Sequence, residues 1–279
     1  MGEDDENGRP LFGEEERLEL LQLRTRKNLA EERERDEVAE ETQPVRESEE
    51  MPESWYLTGD YDLYDWQDDC IDGWFDAGGK GTVKVVTGAG KTVMALGLAE
   101  RLQNEEDPEL CMAVVVPQIN LMNQWYDELL EVGNIPPNYI GRLAGAYDGR
   151  FDGDTRILLG VVNTMREELP GMVREAGIGD ELLLVADECH HYGSQANSRI
   201  FQTERAYSLG LSATPERSDM DEGYDKSMLG DELGGIVYEL TLEDALERGI
   251  VPPYRIHHYG LALNPEEKRK YEQDRKSVV

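Results

Sequence analysis

The 279-residue sequence predicts an α/β domain built on a mostly parallel sheet with helices on both faces. Five short, β-rich apolar runs follow one another after residue 60, at 82–87, 111–117, 156–162, 181–188 and 207–213. Stretches at 93–103, 120–132 and 164–176 separate them, each long enough for a crossover helix, and a helix over 66–77 precedes the first run. With 39% hydrophobic residues the chain can fill one such domain plus extensions, whereas two complete domains would be crowded. Ligands of these sheets bind beyond the carboxyl ends of the strands, so the polar residues that close each run are the candidates for a site.

The flanks read differently. Residues 14–41 mix leucine with dense charge of both signs and lack glycine and proline, which predicts a helix. Its apolar content stops near Ala30, so the second half is a solvated helix or disordered. Pro44 and Pro52 mark 42–60 as a linker. The expected division is a charged N-terminal helical or disordered extension and linker over 1–60, the α/β domain over 61–253, and a connector over 254–279. No run approaches the roughly 18 apolar residues of a membrane span, and the acidic start MGEDDENGRP is unlike a secretory signal. A soluble, cytoplasmic protein without a membrane partner is expected. Cys70, Cys111 and Cys189 are far apart and odd in number, which argues against a disulfide framework or a zinc site and for small buried side chains.

Sixty acidic against 28 basic residues give a net charge of −32. Residues 1–50 hold 18 acidic and 8 basic side chains, so most of the excess lies in the domain. Only eight of the basic residues are lysine. An acidic, lysine-poor composition resembles that of proteins from salt-loving archaea, in which molar salt shortens the Debye length to about 3 Å and mutes self-repulsion. Any nucleic-acid contact on such a surface has to come from amides, hydroxyls and helix N-termini more than from basic patches.

Thr87-Gly88-Ala89-Gly90-Lys91-Thr92 closes the first run and opens a helix at Val93. In that context glycines let backbone N–H groups turn inward around phosphates, and the helix N-terminus adds positive potential. Lys91 would reach the β- and γ-phosphates of ATP, and the Thr92 hydroxyl would hold Mg²⁺. The strict phosphate-loop pattern has glycine where this chain has Val85. The fourth run ends in Asp187 and Glu188, an acid pair that a buried strand end must satisfy with a cation, a base or water. Asp187 suits a Mg²⁺ contact, and Glu188 suits polarising an attacking water.

The tetrapeptide Asp187-Glu188-Cys189-His190 resembles the D-E-x-H box of superfamily-two DEAD/DEAH-box-like helicases, whose members commonly carry a small or apolar residue at the position of Val85. Ser212-Ala213-Thr214, 25 residues after Asp187, resembles their S-A-T coupling motif, with two short hydroxyls able to reach the acidic box. The order of these motifs is similar to that of the first RecA-like domain in the XPB-like and type III restriction-like branches. That resemblance implies a P-loop nucleoside triphosphatase fold, ATP and Mg²⁺ as cofactors, and His190 near the γ-phosphate. It implies that Gln67, 24 residues before Lys91, reads adenine, although Tyr64 stands where the family often has arginine. Pro117 and Gln118 after the second run, and Asn163 and Thr164 after the third, resemble its nucleic-acid contacts. Trp125 reads as a packing residue.

Residues 237–273 resemble the segment leading toward a second RecA-like domain, which the resemblance makes a partner in cis or in trans. DNA is the expected polymer because those branches act on it, and RNA is not excluded. The implied activity is that of the amino-terminal half of an ATP-dependent DNA helicase or translocase, incomplete alone. A non-catalytic ATP- and nucleic-acid-binding module acting with a partner, and a restriction-type translocase subunit, stay open beside it.

Overall fold

A computed structural model describes residues 50–58, 62–215 and 223–253; the expected helix over 14–41 and the connector over 254–279 lie outside the described residues. The chain runs α1 (Asp65–Asp76), β1 (Lys80–Val85), α2 (Lys91–Glu105), β2 (Cys111–Val116), α3 (Ile119–Val132), β3 (Ile140–Ala144), β4 (Tyr147–Asp148), β5 (Ile157–Val161) and α4 (Val162–Ala176). It continues through β6 (Leu182–Asp187), β7 (Tyr207–Ser212), α5 (Met228–Leu233), β8 (Ile236–Leu240) and α6 (Leu242–Glu247). The strands form one sheet in the order β4-β3-β5-β2-β6-β7-β1-β8. Every pairing is parallel except β3 with β4.

All five apolar runs are strands, and they form the contiguous centre of the sheet, β5-β2-β6-β7-β1. β2 and β6 are buried along their whole length, as a strand covered on both faces must be. Alternate residues of β2 serve opposite faces: Met112, Val114 and Val116 join one core, and Cys111, Ala113 and Val115 the other. Trp66, Trp74, Leu98, Trp125 and Leu129 bring α1, α2 and α3 onto the first core. Met165, Leu169, Leu229 and Leu233 bring α4 and α5 onto the second. The three cysteines are free and buried, as the sequence suggested.

The structure departs from the sequence reading in three places. β3 and β4 add one edge of the sheet, where Arg142 lies between the rings of Tyr126 and Tyr147 at 4.2 and 4.0 Å. β8 and α6 occupy residues that resembled a connector, and β8 forms the other edge by pairing with β1. Part of the expected linker packs on the domain instead: Trp55 is 4% exposed, and its N–H donates to Gln103 Oε1 on α2 at 3.0 Å. Among the described residues no helix is long and apolar enough to cross a membrane.

Gly234 leads into β8 with φ at +92°, and a Cβ there would lie 2.6 Å from the Gly81 nitrogen and from the Lys80 carbonyl carbon on β1. Neither backbone atom can move without shifting the strand that leads to the 87–92 loop. Gly234→Ala is therefore expected to destabilise the domain by about 1–3 kcal/mol, measured as a lower denaturant midpoint at unchanged slope.

Candidate nucleotide and nucleic-acid site

Because β5, β2, β6, β7 and β1 are parallel, their carboxyl ends share one rim of the sheet. The register levels Asp187 with Leu211, and Leu211 with Val83, so the end of β6 stands two strands from the end of β1. Lys91 and the acid pair therefore meet at the same rim, and the Lys91 charge acts on Asp187. Pro117 and Gln118 follow β2, while Asn163 and Thr164 open α4 after β5. These four residues stand along the same rim, beyond the acid pair. Gln118 and Asn163 are exposed, and Pro117 and Thr164 half-buried.

The loop between β1 and α2 is shaped by Gly88 and Gly90, with φ at +84° and +101°. Val85 is the last residue of β1 and fully buried, so an apolar side chain belongs there. Its carbonyl accepts from Lys91 Nζ at 3.1 Å, which folds the lysine back over its own loop. Gln67 has both amide ends engaged: Nε2 donates to the Gly90 carbonyl at 2.9 Å, and Oε1 accepts from the Tyr64 N–H at 2.9 Å. It thereby pins the start of α1 to the loop while only 2% exposed, an arrangement different from an amide left open to a base. The Thr92 hydroxyl is in polar contact with Glu128 of α3, whose carboxyl is raised above its usual range by burial.

Leu183 and Val185 face the first core, and Asp187 continues that alternation, which points its carboxylate toward α2 and α3. It is 8% exposed. Oδ2 accepts from Trp125 Nε1 at 2.9 Å, and Oδ1 accepts from the Glu188 N–H at 2.9 Å. Burial raises the Asp187 pKa above its ordinary value, and the Trp125 hydrogen bond and the Lys91 charge oppose the rise. Glu188 is the one non-glycine residue with positive φ among the described residues, at +49°. That conformation costs about 1–2 kcal/mol. The bond from its N–H to Asp187, and a 3.0 Å bond from the His191 N–H to its carbonyl, hold it.

His190 Nδ1 lies 3.0 Å from Ser212 Oγ on β7 and 3.5 Å from Glu188 Oε2, so a side-chain path joins the acid pair to the end of the next strand. Thr214 does not present its hydroxyl to the acidic box as expected. Its side chain is exposed, and its backbone N–H donates to Ser212 Oγ at 3.1 Å. Cys189 is fully buried, and burial pushes its thiol up to about 12, which keeps it protonated at neutral pH.

The type III restriction enzyme res subunit family model matches residues 60–217, the span holding this loop, the acid pair and the Ser212 motif. The chain belongs to that family. The putative DNA 3'-5' helicase Rad25 of Halobacterium salinarum is 30% identical over 196 residues, 68% of this chain and 30% of the relative. The DNA 3'-5' translocase XPB2 of Sulfurisphaera tokodaii is 31% identical over 219 residues, 78% of this chain and 44% of the relative. The chain thus spans less than half the length of both. The crystal structure of the Pyrococcus furiosus Hef helicase domain superposes with a TM-score of 0.49 at 19% identity, over 62% of this chain and 38% of that one.

Within this family member two site residues escaped the sequence reading. Trp125 packs as anticipated, but no periodicity announces that its N–H ends on Asp187. Tyr192 is fully buried, and its hydroxyl lies 2.8 Å from the Val115 carbonyl and 2.9 Å from the Asp187 carbonyl, pinning the ends of β2 and β6 together. Its place directly after His190-His191 was the available signal.

Proposed function

We propose that this chain is the amino-terminal, ATP-binding half of an ATP-dependent DNA helicase or translocase, working with a second RecA-like domain supplied in cis or in trans. The observation that carries the reading is the meeting of the glycine loop, Lys91 and the Asp187–Glu188 pair at one rim, beside a second group of polar strand-end residues. The relatives named as DNA helicase and translocase support it.

Backbone N–H groups of Thr87, Gly88, Ala89 and Gly90 cradle the phosphates, and the amine of Lys91 leaves the Val85 carbonyl to bind them. Gln67 steadies the loop through Gly90, and reading adenine would require it to turn from the bonds it makes to Gly90 and Tyr64. The donors at this rim fit a hard cation, because Asp187 is a buried carboxylate whose two oxygens each keep a lone pair beyond the hydrogen bonds they accept. Thr92 and Asp187 hold Mg²⁺, which when bound offsets charge developing on the phosphates. Glu188 orients the attacking water and takes its proton. His190 and Ser212 pass the state of that centre to the segment from Ala213 to Thr214 and onward. Gln118, Asn163 and Thr164 bind DNA phosphates through backbone N–H and polar side-chain groups, and Pro117 sets the chain direction after β2 that presents them, which suits a chain of net charge −32.

Among the described residues, Arg101, Arg150, Arg156, Arg199 and Arg205 are held in ion pairs with carboxylates of this domain. The family resemblance implies an arginine finger from the second domain, which can supply about 10³–10⁵ in rate. The domain limits we assign are an N-terminal extension over 1–50, the RecA-like domain over 51–253, which takes in the packed segment around Trp55 that had been expected as linker within 1–60, and a connector over 254–279. The protein is cytoplasmic and adapted to high salt, and its composition and its Halobacterium relative support that reading. The family match favours, as a second reading, a subunit of a restriction-type translocase. A nuclease or methylase gene beside this one would select it.

Three outcomes test the proposal. Lys91→Ala is expected to weaken ATP binding by about 100-fold or more, because it removes charge-assisted bonds to two phosphates; calorimetry showing unchanged affinity would remove the loop from its role. Glu188→Gln is expected to keep ATP affinity and slow the residual turnover by roughly 10²–10⁴, and a single-turnover assay showing normal hydrolysis would contradict that assignment. Thermal unfolding followed from molar to about 0.1 M KCl should show stability falling steadily as screening is lost; a melting temperature indifferent to salt would count against the halophilic reading.

A further inference from the structure

Trp125 lies on α3, the helix that leaves the rim directly after β2, and its side chain is 2% exposed. Carbon alone would satisfy that core position, so the direction of its N–H is the informative feature. Two other indoles buried in the same core show no such direction: Trp74 donates to the Ser208 carbonyl, and Trp66 has no partner for its nitrogen. Trp125 instead donates to a carboxylate, Asp187 Oδ2, at 2.9 Å. With the Glu188 N–H on the other oxygen at 2.9 Å, each oxygen has one donor, which fixes the plane and torsion of the carboxylate. One turn further along α3, on the same side of the helix, Glu128 meets the Thr92 hydroxyl. A single helix face therefore touches both residues assigned above to Mg²⁺.

We infer that Trp125 is a positioning residue, whose indole N–H holds Asp187 in the orientation that receives Mg²⁺ together with the nucleotide. This rests on the ATP-site reading above. Groups that orient a metal ligand change metal affinity by about 10–100-fold when removed. Packing by itself would not make that change specific to the metal.

The test uses the full chain in molar KCl, with binding of methylanthraniloyl-ATP followed while Mg²⁺ is titrated. Trp125→Phe, with folding checked by circular dichroism, is expected to move the Mg²⁺ midpoint upward by roughly ten-fold or more and to leave nucleotide affinity in EDTA unchanged. An unaltered Mg²⁺ midpoint overturns the inference and leaves the ATP site standing. A wild-type chain that binds no nucleotide overturns the site reading and this inference with it. A second measurement does not depend on the variant folding: the indole ¹H–¹⁵N signal of Trp125 in the wild type should shift when Mg²⁺ is added to the ADP-bound chain, while that of Trp74 stays. A Trp125 signal indifferent to Mg²⁺ overturns the proposal as well.

Discussion

The site is organised around one buried carboxylate. Asp187 ends a strand that is buried along its whole length, so its charge cannot be left to bulk water. It takes one hydrogen bond from an indole on α3 and one from the next backbone N–H, with a lysine charge nearby. The features around it follow from that demand. Glu188 adopts a left-handed backbone so that its N–H can turn back onto Asp187, and the turn brings His190 toward Ser212. Tyr192 closes the same turn against two strand carbonyls.

Parallel pairing turns this local solution into a site. A right-handed crossover returns each strand in the same direction, so residues distant in sequence arrive at one rim. The strand order β5-β2-β6-β7-β1 arranges them, with the nucleic-acid candidates at one end, the acid pair in the middle and the glycine loop at the other. The helix after β2 begins beside Gln118 and carries Trp125 and Glu128, so it reaches both residues proposed to hold Mg²⁺ and the first nucleic-acid candidate. A domain that uses ATP to change its hold on a polymer needs some such physical link.

The centre of the sheet was legible because its strands are buried on both faces and so read as continuous apolar runs. The edges were not. β3 has a glycine and an arginine among five residues, and that arginine is satisfied by two tyrosine rings that sequence spacing does not bring together. β8 is a half-exposed edge strand in a segment that resembled a connector, and it exists because β1 offers it a partner. Motifs made of contiguous residues, such as the glycine loop and the acid pair, were legible as short words with a fixed context. Side-chain destinations were not: Gln67 closes on the loop, Thr214 offers its N–H in place of its hydroxyl, and the Trp125 N–H finds Asp187. Each depends on which helix packs over which strand, and that is settled by the whole core.

The most direct measurement is a crystal structure of the chain with Mg²⁺ and a non-hydrolysable ATP analogue in molar salt. The account predicts the triphosphate inside the 87–92 loop, the Lys91 amine moved from the Val85 carbonyl onto phosphate oxygens, and the cation between Thr92 and Asp187. A triphosphate bound elsewhere, with Lys91 still on Val85 and no cation at Asp187, would contradict it.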